Sequence, residues 1–579
     1  MKKTALLLIA LLSIVVVQAQ VNSKWLTPQL KSAEAKYYAR DFDGAEEEFA
    51  KMYEQDSTNP YLLIDMALYP CEVWTDAYSA LEFIEMAEKY FPANDNSPYR
   101  PKFFYVKTMC YYLLDEHQKA IDAASELVKH VAYDKDLKTY KYMDAYLLRG
   151  LCYFHMDKYD NAEKDFLKYR ELEGDRTTDT RASAYLVKIE LKRKNYDKAL
   201  KRINEAIDYD NRYIAANKGM LPNDDLRYMK AQAYIGKGNR KEAAKAMGEA
   251  VIMNFDYQCV FTLEDSLTQD LMNTNFADFE SSLLAKAEEN GIKGFYAYNI
   301  GEMYENRGDY KKAYAMYQKC VDCEKNLGRD LMEGEVSYLA SAYLKLITFN
   351  INFCNYDQAL RLIDEAYAFD KSHPEFYIRL KNDDLIEARA NCYSYKGDAK
   401  AAADEIAKLI SKNGYSYYYA TRAGYYHSGN MTMSAIADIN KAISLLEAPI
   451  YYERRAYYHK AEGNTEAMTA DLKKVLELSA KKPQTATAYA YVELGEKQKA
   501  FDVVKQLLSE EPTSASYHYN AACIYCLAGD SKKALHHLEE AFKLGWCSFA
   551  HLDHDSDLNL IKKTSEFKAL LKKYKIQIP

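Results

Sequence analysis

The sequence predicts an all-α protein, an α-solenoid in which helical hairpins of one type stack on one another. The first observation is a ladder of small and aromatic residues with gaps of 3, 6, 3, 4 and 3: Gly150, Tyr153, Tyr159, Ala162, Phe166 and Tyr169. The second is that this ladder recurs elsewhere in the chain. The third is the length, since 579 residues exceed one compact core, whereas a repeat array grows without enlarging any single core.

The spacing of the ladder predicts a helix, a turn and a second helix. Gaps of 3 and 4 place residues on one face of an α-helix. The gap of 6 breaks this periodicity, and in three copies it falls over Gly308, Gly397 or Gly529, where one helix ends and the next begins. The small residue lets the two helices approach closely, and the aromatic residues fill the space beside it. Further copies start at these small residues: Ala231, Gly301, Ala390 and Ala522.

Such a hairpin cannot bury its apolar face alone, so the hairpins must stack. The segments "YNIGEMYENRGDYKKAYAMYQKC" (Tyr298–Cys320) and "YNAACIYCLAGDSKKALHHLEEAFKLG" (Tyr519–Gly545) carry the pattern along their whole length. In ladder and layout the chain resembles the tetratricopeptide repeat. The resemblance implies a right-handed superhelix of stacked hairpins, whose first helices line a concave groove.

The alanine of the second helix, or its replacement, marks thirteen candidate units: Ala45, Ala80, Ala120, Ala162, Ala199, Ala243, Ala313, Ala359, Ala402, Ala435, Met468, Ala500 and Ala534. We therefore predict an N-terminal array at 20–250, a degenerate hairpin at 251–293 and a C-terminal array at 294–545. Residues 546–579 resemble the closing segment that follows the last unit in bacterial repeat chains, and we expect them to cover the apolar end of the stack.

Residues 1–19 have the pattern of a secretory signal peptide, with two lysines before an apolar run that is too short to cross a bilayer. We expect a periplasmic protein, with release outside the cell as the alternative. No later segment predicts a transmembrane helix. The net charge of −8 and the absence of basic tracts argue against nucleic acid as the main partner.

Catalytic signatures are absent from the sequence, and we predict neither an enzyme nor a cofactor or metal site. "GKG" at 236–238 falls in a predicted hairpin turn and lacks the strand that precedes a phosphate loop. An enzyme or metal-dependent protein stays open as an alternative, because cysteine and histidine residues collect near the C-terminus: Cys523, Cys526, His536, His537, Cys547, His551 and His554.

Tyrosine is abundant, with 54 residues, and the ladder needs only part of them. By the resemblance, six side chains would point into the groove: Tyr228, Tyr298, Asn391, Tyr417, Tyr457 and Tyr519. Tyrosine suits a binding surface because it combines a large ring with a hydroxyl. We predict a scaffold that binds a protein or peptide partner there, in envelope assembly, secretion or maintenance. Packing between neighbouring hairpins would explain the same tyrosines, and glycan binding is the alternative function.

Overall fold

The structure is a computed structural model that describes residues 27–73, 76–93, 95–135, 139–174, 180–216, 225–257, 265–289, 291–326, 338–372 and 382–575. The predicted signal peptide at 1–19 lies outside the described residues. The chain divides into two compact units, unit 1 at Met1–Lys286 and unit 2 at Ala287–Pro579. Both are all-α within the described residues, apart from one short two-stranded hairpin, and the predicted α-solenoid is confirmed.

The described residues of unit 1 form six packed hairpins. They are α1 (Pro28–Tyr38) with α2 (Phe42–Gln55), α3 (Pro60–Val73) with α4 (Ala77–Tyr90), α5 (Tyr99–Leu113) with α6 (His117–Leu127), α7 (Asp144–His155) with α8 (Tyr159–Glu173), α9 (Arg181–Lys192) with α10 (Tyr196–Ala216), and α11 (Asp225–Gly236) with α12 (Arg240–Tyr257). Strands β1 (Ala132–Asp134) and β2 (Thr139–Lys141) pair antiparallel between α6 and α7.

Two further helices, α13 (Ser266–Thr274) and α14 (Phe276–Glu289), follow α12 where we predicted a degenerate hairpin. Both helices pack on α12. Gly248 of α12 permits this close approach, because a Cβ at this position would lie 2.5 Å from the carbonyl oxygen of Phe279. The boundary between the two units falls near the end of α14.

In the part of unit 2 that the structure describes, there are seven packed hairpins and a C-terminal group of short helices. The hairpins are α15 (Gly294–Asn306) with α16 (Tyr310–Lys325), α17 (Leu339–Asn352) with α18 (Tyr356–Ser372), α19 (Asn382–Tyr395) with α20 (Ala399–Lys412), α21 (Ser416–Ser428) with α22 (Thr432–Leu445), α23 (Pro449–Ala461) with α24 (Thr465–Leu478), α25 (Thr485–Glu493) with α26 (Lys497–Glu510), and α27 (Ala515–Leu527) with α28 (Ser531–Lys543). The group consists of α29 (Phe549–His554), a 3₁₀ turn at Ser556–Leu558, α30 (Asn559–Lys562) and α31 (Ser565–Tyr574).

The thirteen positions marked in the sequence all lie in second helices, and the twelve alanines among them are 0% exposed. The predicted break between the two helices is also confirmed. Gly308 and Gly529 have φ values of 75° and 88°, in the left-handed region that terminates a helix and that glycine enters without steric cost.

In the hairpins α7–α8 and α15–α16, a size match between a glycine and an aromatic ring lets the two helices approach closely. Gly150 lies against the ring of Phe166, sixteen positions later, and a Cβ on this glycine would lie 2.8 Å from the ring. Gly301 lies against Tyr317 in the same way. In several hairpins a buried Met, Ile or Leu of the second helix is matched by alanine on the first, in the pairs Ala231/Met247, Ala390/Ile406, Ala423/Ile439, Ala456/Leu472 and Ala522/Leu538. Other hairpins carry larger pairs at the same separation, namely Leu68/Ile84, Val187/Ile203 and Ile347/Ile363.

Three hairpins also carry an ion pair with the same separation of sixteen residues, which our sequence analysis missed. The guanidinium groups of Arg149, Arg422 and Arg455 each donate two hydrogen bonds to a buried aspartate of the second helix, at 2.6–2.9 Å. The acceptors are Asp165, Asp438 and Asp471. Bidentate geometry fixes the rotation of one helix against the other as well as their distance.

The size match predicts that the effect of Gly150→Ala on the free energy of unfolding changes sign when the facing ring is replaced. Gly150→Ala should lower the free energy of unfolding by about 1–2 kcal/mol, because overpacking costs about 1–3 kcal/mol and helix propensity returns at most about 1 kcal/mol. In a Phe166→Leu background the same change should stabilise by up to about 1 kcal/mol, since leucine leaves room for the methyl group. Hydrogen exchange of α7 and α8 in urea measures both values. A loss of stability in both backgrounds would contradict the size match.

Candidate functional site

The candidate site is the surface formed by the first helices of unit 2, namely α15, α17, α19, α21, α23, α25 and α27. We call this surface the first-helix face. Neighbouring first helices contact one another directly, for example α17 with α19, α23 with α25 and α25 with α27. Side chains from several hairpins therefore share one continuous surface, which is what recognition of an extended partner needs.

Three of the six predicted groove residues pair with a side chain of their own hairpin or the next one. The Tyr298 hydroxyl donates to Glu302 at 3.2 Å, and its ring lies 5.0 Å from that of Tyr338. Asn391 accepts a hydrogen bond from the Tyr425 hydroxyl at 2.8 Å. Tyr228, in unit 1, has its hydroxyl 3.4 Å from a carboxylate oxygen of Asp265 and is half-buried.

The other three predicted residues differ strongly in exposure. Tyr417 is 51% exposed and donates to Glu387 at 2.9 Å. Tyr457 is 43% exposed, and its hydroxyl lies 3.3 Å from that of Ser556. Tyr519 is only 4% exposed, because its ring stacks on Trp546 at 4.0 Å between centroids. Two of the predicted partner-binding tyrosines thus already contact the C-terminal part of their own chain.

The C-terminal segment, residues 546–575, lies against the first-helix face. Its helix α29 packs on α17, while the 3₁₀ turn and α30 pack on α27. Helices α30 and α31 also contact α28, the last second helix, where we expected the whole segment to lie. The segment therefore reaches far beyond the last hairpin, and its role as a cap of the stack stays a prediction.

At the end of the face near α17, the segment is held by one aromatic contact and several polar ones. The ring of Phe549, 1% exposed, lies 5.3 Å from that of Phe353. Asp553 accepts hydrogen bonds from the Cys354 thiol at 3.6 Å and from the ammonium group of Lys575 at 2.9 Å. Directly before the segment, the carbonyl oxygen of Gly545 accepts a hydrogen bond from the Tyr310 hydroxyl at 2.9 Å.

At the end near α27, neutral donors hold a carboxylate of the segment. Asp555 accepts hydrogen bonds from the Tyr519 hydroxyl at 2.6 Å and from the Cys523 thiol at 3.4 Å. His551 lies 3.8 Å from the same carboxylate oxygen. Burial and Asp555 together raise the pKa of the Cys523 thiol well above its usual range, so the thiol stays protonated and serves as a donor.

Two carboxyl groups beside these contacts lack a close cationic partner among the described residues. Burial, with repulsion from Asp555 and Glu493, raises the pKa of Asp557 to about 7. Burial, with repulsion from Asp557 and Glu493, raises the pKa of Glu453 to about 7 as well, against the opposing effect of Arg454. The segment thus presents a carboxyl group to a part of the face that is itself acidic.

The structure does not bring the C-terminal cysteine and histidine residues into one metal site. His537 lies against His518, Cys547 against Asn352, and His554 against the ring of Tyr395. Within the described residues, one group has donor atoms close enough to share an ion: Cys523, Asp555 and Asp557, within 4.8 Å of one another. In this structure the Cys523 thiol donates to Asp555, so the three residues form a hydrogen-bonded cluster.

Most of the described cysteines are buried, as the sequence predicts for small apolar residues on helices. Cys320 is 0% exposed, and burial raises the pKa of its thiol. Cys323, on the same helix, donates to the carbonyl oxygen of Ile292. A protonated thiol is a poor nucleophile and metal ligand, so this CxxC pair has the features of packing rather than of redox chemistry.

Family models match the hairpins directly. The model described as tetratricopeptide repeat matches residues 144–175, 224–257 and 296–326, which are the hairpins α7–α8, α11–α12 and α15–α16. Three hairpins of the chain thus match the tetratricopeptide repeat. A second model, anaphase-promoting complex subunit 5, matches residues 79–151 and 493–546. Both matches fall on packed helix pairs, in agreement with the resemblance found in the sequence.

Among curated proteins, the chain is similar to a chloroplastic protein of Arabidopsis thaliana, with 31% identity over 83 residues. The match covers 14% of this chain and 25% of that protein, so the chain spans a quarter of the relative's length.

Among solved structures, it is similar to the Cut9–Hcn1 hetero-tetramer of the APC/C, with 13% identity over 80% of this chain and 96% of that one, at a TM-score of 0.26. A tetratricopeptide repeat protein from Parabacteroides merdae shows 15% identity over 46% of this chain and 98% of its own, at a TM-score of 0.29. The C-terminal part of a repeat protein from Cytophaga hutchinsonii shows 14% identity over 54% and 99%, also at 0.29. The fold assignment rests on the hairpins and the repeat matches, not on these three structures.

The raised pKa values predict that unit 2 loses stability as the pH rises. Asp557 has a folded pKa near 7 and an unfolded value near 4, so the folded state binds the extra proton between these values. The free energy of unfolding should fall from about pH 4 to about pH 7 and level off above. Asp557→Asn should flatten this slope, as followed by urea unfolding.

The exposed Asp502 of α26 supplies the control, since Asp502→Asn should leave the slope unchanged. The charged and titratable groups around Asp557 lie on three helices and in the segment itself: Glu453, Arg454 and Lys460 on α23, Tyr489 and Glu493 on α25, Cys523 on α27, and Asp555. A pH slope that is equal in wild type and Asp557→Asn would contradict the assignment.

Proposed function

We propose that the protein is a scaffold that binds a protein or peptide partner on its first-helix face. The observation that carries this proposal is that the face of unit 2 already holds a polypeptide, the C-terminal segment, through the hydroxyls of Tyr457 and Tyr519 and the stacking of Tyr519 on Trp546. Groove recognition of this kind needs no covalent chemistry. The tetratricopeptide repeats supply the scaffold, and the side chains on the face supply the specificity.

Part of the face remains accessible beside the segment. Tyr415 and Tyr417, at the start of α21, are 62% and 51% exposed. Ile450, at the start of α23, is 41% exposed. Rigid rings beside an aliphatic side chain are typical of contact surfaces, because they bury area with little loss of conformational entropy.

A photo-crosslinking residue tests this surface directly. With p-benzoylphenylalanine at position 417, irradiation of the host cells should give one discrete protein adduct, because the exposed ring lies on the first-helix face. The matched control is position 78, where Tyr78 of the second helix α4 is 76% exposed. Denaturing electrophoresis followed by mass spectrometry reads out the adduct.

The two positions separate specific from random capture. Equal adducts at 417 and 78 would mean that exposure alone decides the crosslink. No adduct at 417 would remove the partner surface. An adduct that glycosidases shift and proteases leave unchanged would favour the glycan alternative.

We further propose that the protein works in the cell envelope, in assembly, secretion or maintenance. The support is the sequence of residues 1–19, with a basic start, an apolar run and small residues before Gln20. No helix among the described residues is long and apolar enough to cross a membrane. A groove-binding scaffold with a cleaved leader would act on partners outside the cytoplasm.

Fractionation of the host cells tests this location. The native chain should appear in the periplasmic fraction with Gln20 as its first residue, and deletion of residues 2–19 should keep it with a cytoplasmic marker. N-terminal sequencing and immunoblotting measure the two effects. A chain that keeps residues 1–19 and stays in the cytoplasmic fraction would contradict export.

A further inference from the structure

We propose that the C-terminal segment is a displaceable intramolecular ligand of unit 2, which closes the first-helix face until an acidic, aromatic-bearing peptide takes its place. This inference rests on the proposed function, because it names the chemistry of the partner that the same face binds. It adds that the free protein is held in a closed state by its own chain.

The reach of the segment distinguishes a ligand from a simple cap. A cap of the last hairpin needs contacts with α27 and α28 only. The segment also contacts Asn352, 195 residues before Cys547, and Cys354, 199 residues before Asp553. The segment therefore contacts hairpins that lie far from it in the sequence, in addition to its neighbour along the chain. A bound peptide would make contacts of the same kind.

The segment contributes the groups that a peptide ligand would contribute. Phe549 is its aromatic anchor, buried against Phe353. Asp553 and Asp555 are its acceptors, and they satisfy thiol and hydroxyl donors of the face. Buried donors left without an acceptor are costly, so a partner that displaces the segment must bring acceptors of its own. An acidic segment with a preceding aromatic residue meets this requirement.

The acidic surroundings weaken the binding of the segment to the face. Asp557 of the segment lies near Glu453 and Glu493 of the face, and repulsion from like charges is among the causes that raise the pKa of both Asp557 and Glu453. Ser556 contributes only one exposed contact, with Tyr457. A docked segment whose carboxyl group is repelled by carboxyl groups of the face is easier to exchange than one with full charge complementarity.

Gly545 is the hinge at which backbone rotation would let the segment leave the face. It follows α28 with a φ of 92°, in the left-handed region that ends the helix. Rotation there moves the segment away while α27 and α28 keep their own packing. Intramolecular attachment gives the segment a high effective concentration, which a free partner must overcome.

The test uses the full-length chain and a labelled peptide with the sequence of residues 546–562, carrying Ser in place of Cys547. The chain carries Phe549→Ala and Asp555→Ala, which weaken its own segment and leave the face intact. It also carries Asp553→Cys, which places a thiol beside Cys354 and forms a disulfide with oxidised glutathione. Peptide mapping under non-reducing conditions verifies the disulfide between positions 354 and 553.

Fluorescence anisotropy measures peptide binding to this one chain in two states. The reduced chain should bind the peptide at least ten-fold more tightly than wild type does, and the oxidised chain should show no binding. A peptide with Phe549→Ala and Asp555→Ala is the matched control and should bind neither state. Circular dichroism of both states checks that the chain is folded.

A second readout follows the segment itself. Trp546 is the sole tryptophan of unit 2, and in a Trp25→Phe, Trp74→Phe background its emission reports the stack on Tyr519. With a peptide that carries Phe in place of Trp546, so that only the chain contributes tryptophan emission, binding should shift this emission to the red in the reduced chain only. Equal peptide binding by the oxidised and reduced chains, or none by either folded state, would overturn the inference.

The crosslink at position 417 separates failure of this inference from failure of the proposed function. An adduct that forms in the reduced but not in the oxidised chain supports both. An adduct that forms equally in both states leaves the scaffold in place and overturns the inference. No adduct in any state, wild type included, overturns the two together.

Discussion

The fold depends on how closely the two helices of one hairpin approach, and a pair of side chains sixteen residues apart lies at that approach. Glycine faces a ring in the hairpins of Gly150 and Gly301, whereas alanine faces an aliphatic residue at Ala390 and Ala522. Val187 with Ile203 is a larger pair at the same separation. Because protein interiors are packed to crystal-like density, each hairpin must fit the pair that it carries.

Local periodicity explains why so much of the fold could be predicted. The ladder involves residues within one hairpin, so the gaps of 3, 4 and 6 report helices, faces and turns directly. The same separation of sixteen residues also marks the ion pairs of Arg149, Arg422 and Arg455, which could have been found with the ladder in hand. The family models match hairpins that we had identified by this ladder.

The site could be predicted only in part, because the contacts that define it join residues far apart in the sequence. Resemblance placed Tyr457 and Tyr519 on the first helices, where the structure has them. It carried no information on the Asp555 carboxylate or the Trp546 ring, which meet Tyr519 after a separation of 27 to 36 residues. Nor could it foresee contacts over 199 and 235 residues, since a periodic pattern records packing between neighbours alone.

The long-range contacts of the C-terminal segment have a consequence for how unit 2 folds. An open solenoid gains stability one repeat at a time, and a folded part of it is already native-like. Here the residues that contact the face follow the seven hairpins in the chain. In folding that proceeds from the N-terminus, the hairpins therefore form first and expose Phe353, Cys354 and Tyr519 without their final neighbours. Each newly folded molecule then passes through a state in which this part of the face is open before its own C-terminus occupies it.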